Sequence, residues 1–218
     1  MGEADSPMNE DYGGYTHARF CPDPARQGVW REIGAYLQRY APREGAVLDL
    51  GSGYCDFINA IQAKQRFALD RYQDPAEFID AGVVALQADA ADLSGVTAPL
   101  DMVFSSNLLE HLTPEHGAKV ADAVFEALAP GGCWVLLQPN FRYCATTYFD
   151  DYTHRTIYTH VSLADFLRAH GFRIERVEPR FLPFSMNSRA PKWPLLVRAY
   201  LRSPWRPRAK QMLIVARR

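Results

Sequence analysis

The stretch Val47-Leu48-Asp49-Leu50-Gly51-Ser52-Gly53-Tyr54 constrains the fold of this chain more than any other. An apolar run of strand length feeds two glycines at the point where the strand must turn. Glycine accepts positive φ and lets a bound group approach the backbone with no β-carbon in the way. The pattern then alternates. Strand Ala46–Leu50 leads to a helix over Asp56–Lys64, a strand Phe67–Asp70, and a short helix Pro75–Ala81 opened by a proline, which a first helical turn tolerates. Strands Val83–Leu86 and Asp101–Ser105 follow. Helix Pro114–Leu128 has Thr113 as its N-cap and Gly131 just past its end. Strand Cys133–Leu137, helix Ser162–His170 stopped by Gly171, and strands Arg173–Val177 and Met212–Ala216 complete the series. Upstream, Gln27–Tyr40 carries helical periodicity through Val29, Trp30, Ile33, Tyr36 and Leu37. Alternation at this spacing predicts the α/β class, with a doubly wound parallel sheet and helices on both faces. In such a sheet the first strand–helix turn opens onto the ligand crevice.

The 218 residues, 48% of them hydrophobic, support one domain over 1–218. Residues 1–25 are expected to form an N-terminal arm or lid, with Tyr12, Tyr15, His17 and Arg19 able to fold over a ligand. Residues 180–210 read as a basic insertion before the last strand. The net charge is only -1, yet no acidic residue follows Glu178 while ten basic ones do, so an anionic partner is expected near this end. Pro191–Arg202 is basic, aromatic and partly amphipathic. It suits an anionic membrane surface or the pyrophosphate of a nucleotide- or lipid-linked sugar, and equally a packed helix with solvated arginines. No nucleic-acid motif accompanies it. Cys21, Cys55, Cys133 and Cys144 lack CxxC spacing, and Cys55 and Cys133 are expected to be packed thiols. The polar, acidic start shows no signal peptide and no apolar run is long enough to span a bilayer, so the expected location is the cytoplasm, with peripheral contact at the inner membrane face as an option.

Asp70 ends the second predicted strand, nineteen positions after Gly51, where a carboxylate can accept both hydroxyls of a ribose. A dinucleotide site uses the same logic, but it wants a third glycine three positions after Gly53, and Asp56 stands there. An aspartate repels a pyrophosphate. S-adenosylmethionine (SAM) has no phosphate and carries a sulfonium and an ammonium, so Asp49 and Asp56 favour it over a nicotinamide cofactor. Asp89, past the third strand, can accept the exocyclic amine of adenine, and Ala90 leaves room for the ring. The fourth strand delivers Ser106 and Asn107 to the same crevice.

Taken together, Asp49-Leu50-Gly51-Ser52-Gly53, Asp70, Asp89, Asn107-Leu-Leu-Glu110-His111 and Leu128-Ala-Pro130-Gly131-Gly132 resemble the class I SAM-dependent methyltransferases. The family usually has a third glycine where Tyr54 or Cys55 stands. The resemblance implies a Rossmann-like seven-stranded sheet of order 3-2-1-4-5-7-6 with the last strand antiparallel. It also implies a cofactor site of Asp49, Gly51, Ser52, Gly53, Asp70, Arg71, Asp89, Ala90, Ser106 and Asn107. Further on, Tyr148–Arg155, Gly171-Phe172, Arg180–Phe184 and Ser188-Arg189 are similar to bacterial methyltransferases of surface-polysaccharide and glycoconjugate assembly.

These readings predict transfer of a methyl group to an acceptor hydroxyl, on a sugar, glycan or small polar metabolite, the acceptor being anionic or lipid-linked. The alternative is a SAM-binding regulatory module without catalysis. Neutral imidazole takes a proton near neutral pH, so His154 and His111 are the candidate bases, with Asp151 beside His154. Asn107, Glu110, His111 and His154 also resemble the Glu-x-x-Glu-His plus His arrangement of metal-dependent RNA 2′-O-methyltransferases and some quinone-pathway O-methyltransferases. Asn107 replaces a carboxylate there, and no metal is expected. Phe141, Tyr143, Tyr148, Phe149 and Tyr152 are expected to fill core for the most part.

Overall fold

The computed structural model describes residues 24–183 and 193–218. Helix α1 (Pro24–Leu37) precedes β1 (Ala46–Leu50), α2 (Asp56–Ala60), β2 (Gln65–Asp70), β3 (Val83–Gln87) and β4 (Leu100–Ser106). Then come α3 (Pro114–Ala127), β5 (Leu128–Pro139), the single turn α4 (Phe141–Cys144), α5 (His160–Ala169), β6 (Arg173–Pro183), α6 (Pro194–Arg202) and β7 (Ala209–Arg217). The seven strands form one sheet of order β3-β2-β1-β4-β5-β7-β6. β7 runs antiparallel to both neighbours, β5 and β6.

The sheet is covered on both faces, which is why β1 is buried at every residue rather than at every second one. Leu48, Leu50, Trp134, Leu136 and Ile214 face α3 and α5, meeting Val120, Val124, Leu163 and Leu167. Val47, Phe104, Val135 and Leu213 face the other layer, meeting Ile33 and Leu37 of α1, Phe57 of α2 and Leu201 of α6. In register, Leu50 pairs with Leu69 on one side and Ser105 on the other. Thus β1, β2 and β4 end at one level, and the turns after them share one rim.

Several boundaries differ from the sequence reading. α2 stops at Ala60, four residues early, because Ile61 turns extended and Gln38 clamps Gln62 through both its backbone oxygen and its N–H. Pro75–Glu77 is one 3₁₀ turn instead of a helix to Ala81. β6 continues to Pro183 and β7 begins at Ala209, so both ends of the expected basic insertion are sheet; between them the described residues form α6 and the turn that follows it. The aromatic segment divides. Tyr148 is fully buried, while Phe149 and Tyr152 are exposed. Cys55, Cys133 and Cys144 are buried free thiols. The arm residues Tyr12, Tyr15, His17 and Arg19, and also Cys21, Ser188 and Arg189, lie outside the described residues.

Candidate active site

The rim after β1 is built by backbone. The N–H groups of Gly51 and Ser52 both donate to Leu69 O of β2 (2.8 and 3.0 Å), folding the turn against the next strand. Gly51 and Gly53 take positive φ, +73° and +50°. A β-carbon on Gly53 would meet nothing within 4 Å, so open space lies over this backbone. Cys55 has φ 57°, a left-handed geometry that glycine adopts without strain. Cys55 is one of the two positions, with Tyr54, where the resembled family usually has its third glycine, and its backbone takes the glycine-like geometry without the glycine.

Asp70 is tied at both oxygens. Oδ2 accepts from Gly53 N–H (2.9 Å), and Oδ1 accepts from the N–H groups of Tyr72 (2.9 Å) and Gln73 (3.0 Å). The carboxylate is thereby fixed at the rim beside the glycine turn. Asp89 is fixed too: Oδ2 accepts from Arg71 (2.8 Å), and Oδ1 from Ala91 N–H (2.9 Å) and the His116 ring (2.7 Å). Burial opposes its charge, but these bonds outweigh burial and hold its carboxyl below the usual range. Arg71 therefore serves as a partner of Asp89. His116, on the first turn of α3, belongs to the rim and carried no motif in the sequence. Ala90 is buried beside Asp89.

Asp49 is 3% exposed. Burial pushes its carboxyl up to about 8, and Asp70 and Asp56 push it the same way, against the pull of the Ile58 N–H. Asp56, however, forms an ion pair with Arg26 of α1. By sequence Asp56 and Asp49 count equally in attracting a cation; in the structure Asp56 is already paired with Arg26, and the pull rests with Asp70 and, once a cation offsets its burial, with Asp49. These groups fit SAM: an open glycine backbone, a fixed carboxylate for a ribose, a second for an amine, and a buried carboxylate that a cationic tail would stabilise.

Ser106 ends β4, and Asn107 takes φ +52°. Asn107 Oδ1 accepts from Gln211 Nε2 of β7 (2.7 Å), so this side chain is anchored across the sheet. The turn Leu109–His111 follows. The loop after α4 folds onto it: Arg155 and Thr156 N–H donate to Glu110 O (2.7 and 3.1 Å), and Thr156 Oγ1 donates to Leu112 O (2.6 Å). That brings residues more than forty positions apart together. The rings of His111 and His154 lie 4.9 Å apart between centroids, and Tyr148 packs on His154 at 4.4 Å. His154, 8% exposed, is a buried site residue rather than a loop-surface one.

Thr153 sets the chemistry of His111. Its Oγ1 donates its single proton to Asp151 Oδ1 (2.6 Å), and that oxygen also accepts from Thr153 N–H (3.1 Å). Thr153 Oγ1 must then accept from His111 Nδ1 (2.9 Å). His111 is thus the Nδ1–H tautomer with its lone pair on Nε2. Burial lowers its pKa to about 4, and His154 adds to this against Asp151 and Thr153, so the ring is neutral at pH 7. Glu110 is 1% exposed. Burial pushes its carboxyl up to about 8 against its own backbone N–H and the neighbouring Gln138 amide, yet neither oxygen has a donor at hydrogen-bonding geometry among the described residues.

The structure therefore brings Asp49, Gly51, Ser52, Gly53, Asp70, Asp89 and Ala90 to one rim, and His111, His154 and Asp151 into one cluster beyond β4. Sequence reasoning missed Thr153 and His116, and it treated Glu110 only as part of a motif. Acid and histidine spacing flags Glu110; nothing local flags a single threonine.

A seven-stranded sheet in this order, with a glycine turn after β1 and carboxylates after β2 and β3, defines the class I methyltransferase architecture. Residues 23–177 match the methyltransferase domain family, and the chain belongs to it. Among solved structures, a SAM-dependent methyltransferase from Archaeoglobus fulgidus superposes with a TM-score of 0.64 at 19% identity, over 95% of this chain and 99% of that one. A putative methyltransferase in complex with the Haloferax volcanii Trm112 activator gives 0.65 at 15%, over 90% and 98%. A Mesorhizobium loti SAM-dependent methyltransferase gives 0.61 at 22%, over 88% and 98%. These likenesses are of fold. No curated protein matches the chain.

Proposed function

We propose that the protein transfers the methyl group of SAM to a hydroxyl of a sugar, glycan or other small polar acceptor that carries an anionic or lipid-linked group. Gly51–Gly53 and Asp49 would hold the methionine end, Asp70 the ribose, and Asp89 with Ala90 the adenine, with Arg71, Ser106 and Asn107 shaping the rim. When bound, the cofactor supplies a sulfonium methyl that an acceptor oxygen displaces in line. The chain's own task is to place that oxygen and remove its proton. Positioning supplies much of such a rate gain, and a general base adds about 10²–10⁴-fold. His154 is the base in this reading, with neutral His111 against it and Asp151 orienting His111 through Thr153.

The observation that carries the hydroxyl reading is the His111–Thr153–Asp151 chain beside His154. An amine that is already unprotonated needs no such apparatus, whereas an alcohol must lose a proton. The anionic acceptor rests on a cleft of about 870 Å³ between α1, β6 and α6, lined by Arg39, Arg176, Arg180, Arg202 and Arg206, where Glu178, the one acidic side chain among the described lining residues, pairs with Arg176 and Arg206. Trp193, Leu195, Leu196 and Trp205 stand exposed on and around α6, which suits contact with an anionic lipid surface. No helix of the described residues is long and apolar enough to cross a membrane.

The test is S-adenosylhomocysteine release from purified protein and SAM across paired acceptors differing only in a hydroxyl or an amine, half of them phosphorylated. Turnover confined to hydroxyl acceptors and lost in His154→Ala is expected. Turnover confined to amines, or binding of SAM with no turnover on any acceptor, refutes the reading.

A further inference from the structure

We infer that the arginine cleft between α1, β6 and α6 is a binding site for a diphosphate group carried by the acceptor. Its floor is a closed network. Glu178 pairs with Arg176 (2.6 Å) and with Arg206. The Tyr36 hydroxyl donates to Glu178 Oε1 (3.3 Å) and accepts from Arg176 (3.3 Å). One of the two floor guanidiniums is thereby neutralised. Arg39, Arg180 and Arg202 complete the cationic lining, and none of the three pairs with a carboxylate among the described residues. Glu32 of α1 is already taken by Arg198 of α6, at 2.8 Å to each oxygen.

Two of these cations are also held in place. Arg39 lies over the Tyr36 ring and Arg180 over the Tyr143 ring, 4.1 and 4.3 Å from the ring centroids. Stacking fixes the plane of a guanidinium and leaves its edge N–H groups for an oxygen anion. Five guanidiniums against one carboxylate leave a surplus of four positive charges. A carboxylate or a phosphodiester would offset one of them. A diphosphate offsets about two to three, and each of its phosphoryl groups can take a guanidinium bidentately. The cleft, about 870 Å³, lies within the roughly 300–1,000 Å³ of small-molecule sites and has room for more than one phosphoryl group.

The cleft is linked to the reaction site through α4. Tyr143 lines the cleft, Phe141 of the same turn packs on Tyr148 (5.2 Å), and Tyr148 packs on His154 (4.4 Å). This turn and the rings packed on it separate a diphosphate in the cleft from the His154 cluster. The mouth favours a lipid as the source of the diphosphate over a nucleoside. Trp205 is 76% exposed and stands between Pro204 and Arg206, which both line the cleft. Its N–H donates to Ser203 Oγ (3.1 Å), and Ser203 Oγ donates back to Trp205 O (2.9 Å), which fixes the turn. An exposed indole settles at the headgroup level of a bilayer, the level at which a lipid presents its diphosphate.

This rests on the methyl-transfer reading and deepens it by naming the acceptor's anion, and the experiment keeps the two apart. Full-length protein in EDTA is titrated by calorimetry with inorganic pyrophosphate and with orthophosphate at constant ionic strength. UDP and geranyl diphosphate are the nucleoside and lipid arms, and S-adenosylhomocysteine is titrated separately. One saturable pyrophosphate site per chain is expected, at least tenfold tighter than orthophosphate. It should weaken at least tenfold when Arg180→Gln and Arg202→Gln are combined; both side chains are exposed, and circular dichroism checks the fold. Lys119→Gln, at an exposed position of α3 on the opposite face of the sheet, should leave it unchanged. Geranyl diphosphate should bind at least fivefold tighter than UDP, and Trp205→Ala should remove that advantage while pyrophosphate still binds. No saturable pyrophosphate site, equal affinity for orthophosphate, or parent affinity in the double variant overturns the diphosphate inference and leaves the nucleoside site standing. UDP as the tighter ligand overturns the lipid source and retains the diphosphate. Failure of S-adenosylhomocysteine binding overturns the underlying reading instead.

Discussion

Asp70→Ala is the perturbation with the clearest arithmetic. The carboxylate is fixed by three backbone N–H groups, from Gly53, Tyr72 and Gln73, so its position needs no reorganisation when a ribose arrives. A hydrogen bond to a charged group contributes about 1.5–3 kcal/mol. Two ribose hydroxyls therefore amount to about 3–6 kcal/mol, or roughly 10²–10⁴ in Kd at 1.4 kcal/mol per tenfold. Loss of the Gly53 tether loosens the glycine turn and acts in the same direction. The assay is calorimetric titration with S-adenosylhomocysteine, with circular dichroism confirming the fold. A fall in affinity of less than about fivefold, some 1 kcal/mol, would show that the ribose is held elsewhere and would break the argument from strand order to cofactor site.

Three further outcomes follow from the same structure. Asp49 has a folded pKa of about 8, above the ~3.9 of an unfolded aspartate; its contribution to stability is complete below the lower value and is lost as pH rises through the upper. Tm of the ligand-free protein should therefore decline between those limits, and Asp49→Asn should flatten the decline; an unchanged profile refutes the assignment. Gly132→Ala would bring a β-carbon to 2.7 Å from Leu100 O and 2.9 Å from Ala129 O, both backbone. Such overpacking costs about 1–3 kcal/mol, read by denaturant melts, and a neutral effect would contradict the packing of β5 on β4. Trp193→Ala with Trp205→Ala should weaken co-sedimentation with vesicles of anionic phospholipid by about threefold or more; no binding by the parent protein would refute the membrane contact.

The sheet was legible because its signals are local. Short apolar runs, the turn glycines and Thr113 each act within a few residues, and the antiparallel return of β7 is implied by a family resemblance that rests on those runs. Asp70 and Asp89 could be found because each ends a strand, and strand ends in this topology share a rim. The lengths of α2 and β6 were less legible. Gln38 ends α2 from outside it, and β6 gains residues because β7 offers pairing partners as far as Ala209. The cluster beyond β4 needed the fold itself. Thr153 matters only because the loop returns to the turn at Glu110, forty-three positions earlier in sequence. Asp56 shows the converse limit, since a charge counted as attracting a cation is neutralised by Arg26, thirty residues upstream.

The central claim is that one crevice holds the nucleoside between Asp70 and Asp89 and turns the reacting sulfur toward His111 and His154. A crystal structure with S-adenosylhomocysteine bound tests it most directly. The account predicts the ribose hydroxyls on Asp70, the adenine beside Asp89 and Ala90, the amino acid end over Gly51–Gly53, and the sulfur facing the Glu110–His111–His154 cluster. A nucleoside seated on another rim, or a sulfur pointing away from that cluster, would contradict it.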